Sequence, residues 1–277
     1  MSYNLLYFKY KKSENINKSH YPIVLIRGLG RSMSFWLSFE AELLKYSDII
    51  LIDLLGTGGS QNKTGRFTIK KFAEDVLYTL KYCQVFHFHL AGISLGGMVA
   101  LEMAKLMDKQ EWKELKLHSN CIMSSSSGDM GHKRIFFIPL LFLIISFFTS
   151  ILKGFPSHKL FSKFLVSNKT LENNTDIVKQ WDEIWQKEGF SHLSFILQIF
   201  AAANYKSKLK NRKINTPFLF LVSKEDKLVP WLNSVLLWEK IPQAELRIFR
   251  NLGHDLTTDD PECISKIIYD FMKRNEI

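Results

Sequence analysis

Gly92-Ile93-Ser94-Leu95-Gly96 joins a run that reads as a β-strand, Phe86 to Ala91, to a run that reads as an almost wholly apolar helix, Leu95 to Met107. A serine at so sharp a strand-to-helix turn takes strained backbone angles, and side chains two positions before and two after it would collide unless both were glycine. Gly92 and Gly96 remove those collisions, so the segment calls for a strand ending at the rim of a sheet and a helix packing back on it. Such a turn lifts the Ser94 hydroxyl into the open and aims the helix N-terminus at whatever the oxygen attacks, where developing negative charge meets free N–H groups. A plain Gly-Ser-Gly loop satisfies the same five residues, so the rest of the chain decides.

The rest of the chain alternates. Apolar, β-branched runs at Pro22–Ile26, Asp48–Ile52, Phe86–Ala91, Leu117–Met123, Pro217–Val222 and Ala244–Phe249 read as strands, and the first dozen residues read as a further one. Between them Ser34–Lys45, Thr68–Tyr82, Leu95–Met107, Trp231–Lys240 and Pro261–Arg274 read as helices, with Thr68 and Asp260 as N-caps and Pro261 at a first helical position. This order predicts an α/β fold, a doubly wound and mostly parallel sheet with ligands at the carboxyl ends of its strands. From about Gly128 to Lys208 the strand pattern stops and only helical segments remain. The expected organisation is therefore a core of residues 1–127 and 209–277 carrying an inserted helical cap, 128–208, that roofs the Ser94 site.

Within the cap, Ile135 to Leu152 is nearly uncharged and close to the shortest length that spans a bilayer. Pro139 near its start, Ser146, Thr149 and Ser150 on one face, and the flanking sheet elements favour a helix packed on the core and lining an acyl pocket. Lys133, Arg134 and Lys153 at its ends keep contact with a membrane surface as a second expectation. The 277 residues, 46% of them hydrophobic, suffice for a full core. Cys83, Cys121 and Cys263 have no paired spacing, which argues against a disulfide framework or a zinc site, and a signal-like N-terminus is not evident, so a cytoplasmic protein is expected. The formal charge of +10 is spread along the chain as lysine, compatible with an acidic carrier protein as partner but without a basic helix or stripe for nucleic acid.

A serine at neutral pH needs an imidazole to take its proton and a carboxylate to orient that imidazole. His254, in Asn251-Leu-Gly-His-Asp-Leu256, follows the last strand, and Asp226, in Ser223-Lys-Glu-Asp-Lys-Leu-Val-Pro230, follows the strand before it. Both loops lie at the rim that carries Ser94. Glu225 beside Asp226, and Asp129 beyond the strand ending in Ser124–Ser127, are alternatives for the acid. His87 and His89 alternate along a strand and read as packed, hydrogen-bonded histidines in preference to metal ligands, and neither Gly28-Leu-Gly30 nor Gly56-Thr-Gly-Gly59 completes a nucleotide fingerprint. Neither a metal nor a cofactor is implied.

With Asp53-Leu-Leu-Gly-Thr-Gly-Gly-Ser60 after the second core strand, these motifs fall in the order in which the α/β-hydrolase fold carries them, and the chain resembles that family over essentially its whole length. The resemblance implies Ser94 as nucleophile, His254 as base and Asp226 as acid. It implies an oxyanion hole from the backbone N–H groups of Leu29 and Leu95. Arg27 is a departure, since many relatives have histidine before that glycine. A serine nucleophile also speaks against the epoxide-opening and halide-displacing branches, which use a carboxylate.

The implied activity is hydrolysis of carboxylic esters with an apolar acyl or alcohol part. Alternatives are an esterase or thioesterase for carrier-bound acyl chains, similar to the pimeloyl-carrier methyl ester esterases, a membrane-associated lipase or lysophospholipase, and, from another class, a non-catalytic ligand receptor.

Overall fold

Four consecutive apolar residues without a polar break are stable in a strand only when both of its faces are covered. β2 (Ile23–Ile26) and β3 (Ile49–Ile52) meet that condition, every residue being buried. The computed structural model describes residues 3–107, 109–130, 134–153, 158–209 and 214–276. Its sheet has seven strands, adding β1 (Phe8–Lys11), β4 (His87–Ile93), β5 (Lys116–Met123), β6 (Phe218–Ser223) and β7 (Glu245–Phe249), in the order β1-β3-β2-β4-β5-β6-β7. Only β1 runs antiparallel, as an edge strand against β3.

Alternate residues of the central strands feed two cores. Val24, Ile26, Ile50 and Ile52 pack with α2 (Ile69–Tyr82) and α3 (Leu95–Leu106) on one face. On the other, Ile23, Leu25, Ile49 and Leu51 pack with α1 (Ser38–Leu44) and α11 (Pro261–Arg274). The expected N-caps are in place: the Thr68 and Asp260 side chains accept from Lys71 N and Cys263 N, each at 3.1 Å. The helix expected over Ser34–Lys45 is instead two pieces, a 3₁₀ turn at Met33–Trp36 and then α1, broken at Leu37 with φ of 47°. Phe35 packs against the helices inserted between β5 and β6, while Trp36 and Phe39 fill the core.

Between β5 and β6 the described residues form α4 (Phe137–Lys153), α5 (His158–Leu165), α6 (Asn168–Asn173), α7 (Ile177–Glu188) and α8 (His192–Asn204), with no strand among them. Phe164, Leu165, Trp181 and Trp185 of these helices join Phe35, Leu228 and Val229 of the core in one apolar cluster. The α4 helix has two unlike faces. It does contribute to the cavity above Ser94 through Phe147 and Ser146, and Ser150 Oγ lies 2.8 Å from His192 Nε2. Its opposite face is bare, with Phe137 76% and Phe148 63% exposed and Ile138, Leu140, Leu141, Ile144 and Ile145 exposed alongside them. Among the described residues no helix is long and apolar enough to cross a membrane.

The remaining helices, α9 (Leu232–Trp238) and α10 (Leu256–Asp259), belong to the two loops that leave β6 and β7.

Candidate active site

The turn after β4 is as tight as its glycines foretell. Ser94 has φ of 57° and ψ of −118°, a left-handed backbone that costs a non-glycine residue on the order of 1–3 kcal/mol. A methyl group at position 92 would overlap the carbonyl oxygen of Gly96, and one at position 96 would overlap that of Ile26 in the neighbouring strand. Ser94 stands half-buried at the mouth of α3, and on its other side Gly28 approaches so closely that a Cβ there would lie 3.2 Å from the Ser94 Cβ.

The loop after β6 brings Asp226 and the loop after β7 brings His254 to the same rim. His254 Nδ1 lies 2.7 Å from Asp226 Oδ2, both residues being buried. The other carboxylate oxygen accepts from the N–H groups of Leu228 and Val229, each at 2.8 Å, so the aspartate is fixed before it meets the imidazole. Neither alternative acid is placed there. Glu225 is exposed, and Asp129 accepts from Ser207 N at 2.9 Å, Lys208 N at 3.1 Å and the Ser127 hydroxyl. Burial alone would raise the Asp129 carboxyl, but these hydrogen bonds hold it below the usual carboxylate range.

Ser94, His254, Gly28 and Leu29 line one cavity of about 120 Å³. Its other walls are mostly apolar, from Phe147, Phe161, Leu165, Trp185 and Phe195 of the helical insertion and Leu228 and Val229 of the acid loop. Among the described residues neither the Leu29 nor the Leu95 N–H has a protein acceptor, which leaves two donors beside the serine. The loop that presents Leu29 is gripped from the insertion. Gly30 N donates to Gln198 Oε1 at 2.9 Å, Gln198 Nε2 donates to the Leu55 carbonyl at 3.0 Å, and Trp185 Nε1 donates to the Gly30 carbonyl at 3.1 Å. Sequence reasoning did not find Gln198 or Trp185, because a lone Gln or Trp on an amphipathic helix carries no motif.

Arg27, the departure noted in the sequence, finds its partner in the residue after His254. Its Nη2 lies 2.6 Å from Asp255 Oδ2 and its Nη1 3.2 Å from Oδ1, and Arg31 Nη1 reaches the same Oδ2 at 2.8 Å. All three side chains are buried and line the cavity. Burial, and then the neighbouring Arg27 charge, push the Arg31 guanidinium down to about 9, partly offset by Asp255. His158 is on the same wall, stacked on Trp185 with ring centroids 3.9 Å apart, its Nδ1 2.7 Å from Asp182 Oδ1. Burial lowers His158 to about 4 despite that carboxylate.

At the opposite end of the sheet His87 Nδ1 contacts His118 Nε2 at 3.1 Å and His89 Nδ1 contacts Ser119 Oγ at 2.7 Å, with Tyr21 stacked on His118. His89 is buried and hydrogen-bonded, as the sequence suggested, while His87 is exposed and hydrogen-bonds at the strand's start. Among the described residues no group of three or more His, Cys, Asp or Glu is arranged to hold a metal. The Gly56–Gly59 turn serves Asp53, which accepts from Met33 N at 2.6 Å and Gly59 N at 2.8 Å.

This architecture has known counterparts. Residues 23–262 match the model of the alpha/beta hydrolase family. A protein of Pantoea ananatis named "Putative carbamate hydrolase RutD" is 24% identical over 97% of this chain and 94% of its own length, and one of the same name from Pseudomonas savastanoi pv. phaseolicola is 26% identical over 90% and 93%. Among solved structures, a thermophilic esterase from Thermogutta terrifontis superposes with a TM-score of 0.74 at 18% identity, covering 98% of this chain and 94% of its own. The hydrolase olei00960 from Oleispira antarctica superposes at 0.75 and 18%, covering 98% and 96%. With the family model spanning both the serine turn and the histidine loop, the chain belongs to the alpha/beta hydrolase family.

Proposed function

We propose that the protein is a serine hydrolase that cleaves carboxylic esters through an acyl-serine intermediate. The observation that carries this reading is the buried 2.7 Å contact between Asp226 and His254 on the wall of the cavity that holds the Ser94 hydroxyl. With its Nδ1–H donated to Asp226, the imidazole of His254 has its Nε2 lone pair free to take the Ser94 proton. The Ser94 oxygen then adds to the ester carbonyl, and the Leu29 and Leu95 N–H groups receive the negative charge that forms. His254 passes the proton to the departing alkoxide, leaving an acyl-Ser94. Water, deprotonated by His254, releases the acid and restores the hydroxyl.

The cavity volume of about 120 Å³ favours a small acyl or alcohol part, since a cavity on the order of 150 Å³ holds one benzene ring. Longer chains need the insertion to move. Ser94→Ala is expected to lower turnover by roughly 10⁶ and to abolish labelling by a fluorophosphonate probe. Equal labelling of the variant and the wild type would remove Ser94 from the mechanism. Carbamate hydrolysis is the second reading, favoured by the name of the relatives. It uses the same addition to a carbonyl, and a panel of matched esters and carbamates separates the two.

The bare face of α4 supports an anionic lipid surface as partner. From Met130 to Leu171 the chain carries Lys133, Arg134, Lys153, Lys159, Lys163 and Lys169 and no Asp or Glu, the pairing of apolar and basic residues that such surfaces attract. Wild-type protein is expected to co-sediment with phosphatidylglycerol vesicles, and the Phe137→Ser, Phe148→Ser double variant to remain in the supernatant. Indifference of the wild type to the vesicles would end this reading.

A further inference from the structure

Two guanidinium groups share one carboxylate beside the serine. Asp255 takes three hydrogen bonds from Arg27 and Arg31 and a fourth from the Thr257 hydroxyl at 2.8 Å, so its acceptor capacity is filled. It balances one positive charge and leaves a second. That second charge is 8% exposed at Arg31, held between the rings of Phe35 and Trp181 at 4.9 and 4.4 Å. Arg31 Nη2 is buried and, among the described residues, has no hydrogen-bond partner; the same holds for Arg27 Nε. A buried charge with an open donor is costly to keep unless a ligand of opposite sign completes it.

We propose that Arg31 forms a carboxylate-binding subsite in the cavity, so that the preferred substrates are short esters bearing a free carboxylate, such as the monoesters of small dicarboxylic acids. The inference rests on the reading of Ser94 as the nucleophile. A guanidinium edge matches a carboxylate in shape as well as charge. The small volume places the carboxylate only a few atoms from the ester carbonyl, within range of Ser94. Asp255 pins Arg31 through Nη1, and Arg27 and Thr257 occupy its remaining acceptor sites. His158 lines the same cavity, but its Nδ1–H is donated to Asp182 and it stays uncharged, so it offers a carboxylate no rival positive charge. Hydrolysis of such a monoester breaks the acyl C–O bond and releases a dicarboxylate, the alcohol and a proton.

Arg31→Met tests the idea with little danger to the fold, since it leaves Arg27 and Asp255 as a one-to-one pair and puts an apolar chain between two aromatic rings. The wild type is expected to favour p-nitrophenyl hemisuccinate over p-nitrophenyl butyrate in kcat/KM. Arg31→Met should reduce that ratio by roughly 10- to 100-fold, the usual weight of a charged hydrogen bond. Arg31→Lys should recover part of it. Succinate should raise the melting temperature of Ser94→Ala, and not of the Ser94→Ala, Arg31→Met double variant, at equal ionic strength. An unchanged ester ratio, or an equal succinate effect on both proteins, overturns the subsite. A wild type that turns over no ester, while succinate still stabilises Ser94→Ala through Arg31, would instead sink the hydrolase reading and leave the subsite standing.

Discussion

At Ser94 the backbone is held at a positive φ by neighbours that have no side chain to spare room for. Gly96→Ala drives a methyl into the Ile26 carbonyl of β2, which is rigid sheet backbone and cannot yield as a side chain would. Overpacking of that kind is expected to cost ~3 kcal/mol or more. Thermal denaturation should register the loss, along with loss of probe labelling because the serine moves. The arrival of Ser94, His254 and Asp226 at one rim of the sheet could be read from the sequence because each sits in a short motif at the end of an apolar strand. Arg31, Asp255, Gln198 and His158 could not. Each is ordinary in its own segment and gains meaning only from a partner distant in the chain, as when Arg27 explains its presence through Asp255.

Among the elements, the strands and the long helices α2, α3 and α11 were legible because uninterrupted apolar runs and 3.6-residue periods are local properties. The break at Leu37 was not, because Phe35, Trp36 and Phe39 satisfy a helical period while serving two different clusters. The exposed side of α4 was equally hidden: the sequence says that its residues are apolar, not how much of the helix the remaining chain can cover. The link between α8 and the Leu29 loop carries a testable consequence. Gln198→Ala removes the acceptor of Gly30 N and the donor to the Leu55 carbonyl, each worth roughly 1 kcal/mol. Since the loop carries the Leu29 N–H proposed as an oxyanion donor, kcat is expected to fall about tenfold or more with KM little changed. Steady-state kinetics beside a melting curve distinguish this from simple destabilisation, which would shift the melting temperature and leave kcat per folded molecule intact.

For the molecule as a whole, pH dependence follows from groups that folding holds in an unfavoured state. Burial lowers His158 and His89 each to about 4. Folding therefore favours their neutral forms, and the stability tied to them is complete above the unfolded value near 6.5 and is lost as pH falls toward 4. For His158 that amounts to at most ~3 kcal/mol across the window. Asp53 acts in the opposite sense. Burial raises it to about 6, so its contribution is complete below the unfolded value near 4 and is lost as pH rises through 6. His118 is likewise lowered to about 4 and Asp259 likewise raised, both chiefly by burial, so three histidines stand against two aspartates and leave a net acid lability; chemical denaturation should give a lower midpoint at pH 5 than at pH 7. A midpoint that rises on acidification would contradict these assignments.

Gln198 and Trp185 stand on the inserted helices, while the backbone groups they hold, at Gly30 and Leu55, belong to loops of the core. Lifting those helices to let a bulky ester in would also slacken the loop that carries the Leu29 N–H. Under the proposed mechanism, entry of a bulky ester and stabilisation of its tetrahedral adduct then ask opposite things of the same two side chains.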